Sequence, residues 1–141
     1  MAAFLLLLCS LTWAQDLFDR NLTPEGVLAA LDAGAEVDAR DADSWTPLMV
    51  AAVANDNPEV LQVLLEAGAD VEARDKWGWT PLLFAARSNE NSEVVQVLLD
   101  AGSDPSTQDN EGKTAWDHIQ ENDALKDTDA YSELKDRSSD E

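Results

Sequence analysis

The chain has 141 residues, room for one domain and too few for two ordinary ones. Apolar residues make up 45% of it, enough for a core, but 29 acidic against 9 basic residues leave a formal net charge of −20. A surface of that sign repels phosphate backbones and anionic lipid, which argues against nucleic acid and against a membrane for the mature protein. It favours solubility and, beyond that, the steering of a basic partner.

In chain order, the first segment is almost continuously apolar from Ala2 to Leu11, with Leu5-Leu6-Leu7-Leu8 at its centre. Thr12-Trp13-Ala14 then places small residues where a signal peptidase reads them. The expectation is a signal peptide over residues 1–14, cleaved after Ala14, and a periplasmic or secreted mature protein. The run is shorter than the ~20 residues that cross a bilayer. The alternative is a buried first helix of the domain. Cleavage after Ala14 would remove Cys9, the single cysteine, and with it any disulfide.

From residue 23 the chain repeats itself. Thr46-Pro47-Leu48 returns 34 residues later as Thr80-Pro81-Leu82 and again, degraded, as Thr114-Ala115-Trp116. Ala51-Ala52 maps to Ala85-Ala86, Pro58 to Leu65 maps to Ser92 to Leu99, and Gly34, Gly68 and Gly102 fall on the same grid without a gap. Each unit reads as two helices. Thr46 and Thr80 cap a short first helix opened by Pro47 or Pro81. Asn57 caps a second, whose Val60, Leu61, Leu64 and Leu65 predict one broad buried face. The glycines close the second helices, where a left-handed residue is wanted. The organisation expected is a capping repeat over 15–36, full repeats over 37–70 and 71–104, a closing repeat over 105–137 and a disordered tail over 138–141, with a short helix around Leu17 and Phe18 in the first cap.

Asp75-Lys76-Trp77-Gly78-Trp79-Thr80-Pro81-Leu82-Leu83-Phe84-Ala85-Ala86, closed by Leu98-Leu99-Asp100-Ala101-Gly102-Ser103-Asp104, resembles the ankyrin repeat. The resemblance implies an all-α solenoid of helix–turn–helix units joined by β-hairpin-like loops. Three departures stand out: a period of 34 rather than the family's usual 33, Met49 and Leu83 in place of the usual His, and Ser44 in place of a hairpin Gly. The longer helix–helix turn is similar to that of bacterial ankyrin proteins. Together with the apolar leader it suggests an exported bacterial protein.

The resemblance also implies where a partner sits, at the hairpin tips and on the concave face made by the first helices. Carried onto this chain, the candidate partner-binding residues are Arg40, Asp43, Trp45, Arg74, Lys76, Trp77, Trp79, Arg87, Glu111 and Lys113. Ala42, Gln108 and Asn110 complete the tips; Val53, Ala54, Ser88, Glu121 and Asn122 join Arg87 on the concave helices. Trp45 and Trp79 are equivalent by the 34-residue offset and are expected side by side on one exposed ridge. Tryptophan is enriched at binding hot spots; the alternative is that the rings fold back and brace the stack. Arg40, Arg74, Lys76 and Arg87 either pair with nearby acids or recognise an acidic group.

Little in the chain suggests chemistry. His118 is the single histidine and reads as structural, lacking the partners of a triad or metal site. No EF-hand ladder or phosphate-cradling glycine loop is present in the sequence. Asn21-Leu22-Thr23 matches a glycosylation acceptor but runs straight into Pro24. The expectation is a non-catalytic, monomeric module for a protein partner, with no metal and no cofactor. The alternatives are a self-associating spacer, or an enzyme using two carboxylates in a pocket.

Overall fold

The computed structural model describes residues 17–140. The apolar run and the cleavage site expected after Ala14 lie outside the described residues. Within them the chain forms seven α-helices and one 3-10 turn, with no strand among the described residues. In order these are α1 (Pro24–Asp32), α2 (Pro47–Ala54), α3 (Pro58–Glu66), α4 (Pro81–Ser88), α5 (Ser92–Asp100), α6 (Ala115–Ile119), the 3-10 turn Asp123–Leu125 and α7 (Asp129–Ser139).

The helix starts follow from the caps. Thr46 and Thr80 Oγ1 accept from the Met49 and Leu83 backbone N–H groups, and Asn57 and Asn91 Oδ1 accept from those of Glu59 and Glu93. Each such cap satisfies a donor that the helix itself cannot, typically about 1 kcal/mol. The stops follow from glycine. Gly68 has φ +96, which lets Ala69 N–H reach back to the Leu64 carbonyl at 3.0 Å.

The helices stack in two rows. α2, α4 and α6 form the inner row, α1, α3, α5 and α7 the outer row, and each inner helix packs on its own outer partner as well as on its row neighbours. Between the rows lies one continuous core, including Leu48, Leu61, Leu64, Leu82 and Leu98. Burying each such leucine contributes roughly 1.5–3 kcal/mol. Ala51, Ala52, Ala85 and Ala86 are buried where inner helices approach each other. Met49 and Leu83 are buried too, so the residues replacing the usual His act as apolar filler. Leu65 is only half-buried, whereas its equivalent Leu99 is buried.

The longer helix–helix turn carries a ladder of asparagines. Asn55 Nδ2 donates to the Leu22 carbonyl at 2.8 Å, Asn89 Nδ2 to those of Ala52 and Asn55 at 3.0 and 3.1 Å, and Asn122 Nδ2 to those of Ala86 and Asn89 at 3.1 and 2.8 Å. Each Oδ1 meanwhile accepts from the backbone N–H two residues on. One side chain therefore shapes its own turn and fastens it to the preceding repeat.

Both ends differ from expectation. Leu17 and Phe18 lie in a turn, not in a short helix, and Leu17 is buried while regular helix begins only at Pro24. At the other end α7 continues to Ser139, so the boundary drawn at 137–138 for a disordered tail falls inside a helix. Thr128 caps that helix, its own Ala130 and Leu134 are buried, and Arg137 pairs with Glu133 one turn back.

Candidate functional site

The hairpins between repeats form one edge of the stack. Asp41, Asp75 and Asp109 open them. Each donates its N–H to the carbonyl four residues on, and each Oδ1 accepts two N–H groups, from the residues two and four places later. The tight turn needs a positive φ at the fourth position. Gly78 and Gly112 supply it at +80 and +81, and Ser44 adopts it at +66 despite its Cβ. Gly78 has a second constraint, since a Cβ there would stand 2.5 Å from Asn110 Oδ1.

Two of the arginines expected at the binding surface tie the hairpins together. Arg40 Nη1 donates to the carbonyls of Ser44 and Arg74, at 3.0 and 2.8 Å, and Arg74 Nη2 donates to that of Gln108. Asn110 adds to this lacing: its N–H donates to the Trp77 carbonyl and its Nδ2 to that of Lys76.

The three tryptophans separate into two kinds. Trp45 and Trp79 do not lie side by side on an exposed ridge. The Phe84 ring stands between them, 4.6 Å from Trp45 and 5.0 Å from Trp79, centroid to centroid. Trp79 also packs on the His118 ring at 4.4 Å. Both indoles are half-buried against the core, because α4 and α6 each present a ring at the position just beneath them. Trp77 behaves differently. It is 48% exposed, and its N–H and carbonyl are fixed by Asp75 and Asn110. Lys76 Nζ lies 4.3 Å from the Trp77 ring centroid and also pairs with Asp43 of the preceding hairpin. Glu111 occupies the equivalent place on the following hairpin, exposed, 3.8 Å from Lys113 Nζ.

Arg87 on α4 pairs with Glu121, both substantially exposed; Glu121 and Asn122 lie in the turn after α6 and not on a concave helix as expected. Val53 and Ala54 are half-buried and Ser88 is exposed. Asn122 is not available to a partner there, since the ladder buries it.

One constellation escaped the sequence reading. His118 Nε2 lies 2.8 Å from Asp109 Oδ2, with side-chain exposures of only 3% and 1%. An ionised carboxylate has no proton, so the imidazole donates. Burial pushes the Asp109 carboxyl up, but hydrogen bonds from Lys113 N–H, the His118 ring and Glu111 N–H together outweigh it and hold the group below its ordinary value. The His118 Nδ1 atom is buried without a hydrogen-bond partner among the described residues. The repeat hid this pair, because the equivalents of Asp109 and His118 are Asp75 with Phe84 and Asp41 with Val50. At the middle position Asp75 Oδ2 is accordingly buried without a partner among the described residues.

Among the described residues no group of three or more histidines, cysteines and carboxylates is placed to hold a metal, and no helix is long and apolar enough to cross a membrane. A surface groove of about 380 Å³ at the start of the stack is lined by Phe18, Arg20, Asp41, Trp45 and Val50.

Residues 18–109 match the family model described as ankyrin repeats (3 copies). No curated protein matches the chain.

Proposed function

We propose, from the premise that the chain belongs to the ankyrin-repeat family, that it captures a protein partner with the hairpin edge and adjoining concave face, and that Trp77 anchors the contact. Ankyrin repeats are generally protein–protein interaction modules and typically non-catalytic; the proposal adds the surface and its central residue. The observation that carries it is the Trp77 indole, half-exposed on a backbone held from both sides. A large aromatic presented on a rigid turn loses little conformational freedom on binding, the condition under which such a ring becomes a hot spot. Trp45 and Trp79 support the ridge from below by bracing Phe84 and His118. The proposed molecule is a monomer, exported to the periplasm or beyond, with no catalytic role. Amino-terminal sequencing of the native protein checks the export, with Gln15 expected first.

The test separates anchor from brace. Trp77→Ala should leave stability within about 0.5 kcal/mol, as for an ordinary surface site, yet reduce partner capture from envelope extract at least tenfold. Trp79→Ala should lower stability by about 3 kcal/mol, the typical loss for a packed aromatic. Undiminished capture by a folded Trp77→Ala protein would overturn the anchor.

A further inference from the structure

The exposed tip suggests the chemistry of what it holds. We propose that Trp77 with Asp43 forms a receptor for a guanidinium or ammonium group on a basic protein segment, and that Lys76 fills this receptor from within the chain until the partner displaces it. The inference rests on reading Trp77 as the anchor and adds the class of partner.

The receptor is recognisable because it already holds a cation. Lys76 places its ammonium over the Trp77 ring and against the Asp43 carboxylate, an aromatic face and an anion converging on one charge. A partner's arginine or lysine would find the same two attractions, with the planar guanidinium also able to stack on the indole. Lys76 is a weak occupant. Its side chain and that of Asp43 are each about half-exposed, and exposed pairs of this kind contribute little net stability.

The surroundings favour a cationic visitor over any other. Most of the nine basic residues are already engaged: Arg40 and Arg74 with backbone carbonyls, Arg87 with Glu121, Lys113 with Glu111, Lys126 with Asp123 and Arg137 with Glu133. Among these surface cations Lys76, Arg87 and Lys113 are thus paired with carboxylates, and the net charge of −20 leaves the surrounding field negative. Such a field steers basic partners toward the surface and weakens with salt.

The probe is an acetylated, amidated Gly-Arg triple repeat, set against the same peptide with each arginine replaced by citrulline, which keeps the shape and loses the charge. Each is titrated into the full chain while the Trp77 indole N–H, assigned by its loss in Trp77→Ala, is followed by NMR. The arginine peptide should shift that resonance and bind at least tenfold more tightly than the citrulline peptide, less so in high salt. Lys76→Met keeps the stem and removes the internal competitor, so it should tighten binding about threefold. Lys135→Met makes the same charge change on α7 and should leave binding unchanged, while Asp43→Asn should weaken it about threefold. Equal binding of the two peptides, or weaker binding by Lys76→Met, would overturn the proposal. Partner capture that depends on Trp77 while the arginine peptide leaves Trp77 unmoved would refute the cationic class and keep the anchor. Capture independent of Trp77 would remove both.

Discussion

The two edges of the stack obey opposite rules. Along the helix–helix turns the same residue recurs and does the same work: Asn55, Asn89 and Asn122 each accept from a backbone N–H two residues on and donate to the repeat before. Along the hairpins the frame recurs but its occupants do not. Asp41, Asp75 and Asp109 hold three equivalent turns, whereas the tips carry Asp43, Trp77 and Glu111, and the helices beneath them Val50, Phe84 and His118. Where every repeat needs the same hydrogen bonds, one side chain satisfies all of them. Where the scaffold is already secured by backbone bonds and by Arg40 and Arg74, the tip residues are released from structural duty and can differ.

That contrast can be broken in measurable ways, beginning with the ladder. Asn89→Ala leaves two buried carbonyls and a turn N–H without their partner; at roughly 1–3 kcal/mol for each unsatisfied group, partly relieved by water, the expected loss is about 3 kcal/mol in urea unfolding. A loss under 1 kcal/mol would show that the ladder is ornamental. Next comes the buried pair on the hairpin edge. Asp109→Asn keeps an oxygen for the Glu111 and Lys113 N–H groups and removes the charge that faces His118, for an expected loss of about 2 kcal/mol at neutral pH. The Asp109 carboxyl is held below its ordinary value. Its contribution is therefore complete above the unfolded value of about 4 and disappears as pH falls through the lower folded one. Melting curves of the two proteins should converge below about pH 4; a gap that stays constant with pH would contradict the ionic role. The smallest effect belongs to Ser44. A non-glycine residue at φ +66 carries a penalty of about 1–2 kcal/mol, partly offset by the greater unfolded-state entropy of glycine. Ser44→Gly should thus raise stability by about 0.5 kcal/mol in urea unfolding, and any decrease would mean that the serine side chain has a role of its own.

Much of this was legible in advance. Periodicity, the Thr-Pro and Asn-Pro starts and the glycine stops define helix order, because each rests on local chemistry: a cap, a missing N–H, a left-handed turn. The same reading located the hairpin tips but could not rank their residues. Trp45, Trp77 and Trp79 look alike in the chain, and only packing separates them, since Phe84 and His118 rise beneath two of the indoles and, among the described residues, no ring stacks on the third. The arginines were equally ambiguous, because a guanidinium at a tip can reach outward or across, and the carbonyl it meets belongs to a residue 34 places away. The Asp109–His118 pair was invisible for the same reason: repetition predicts what recurs, and this contact occurs once. By itself the sequence determined the repeat, the helix starts and stops within the full repeats and an acidic composition, all consequences of local propensity and residue choice. The tertiary structure alone decided which of the tip tryptophans are held inward and which is exposed, because that depends on what the neighbouring repeat places against each side chain.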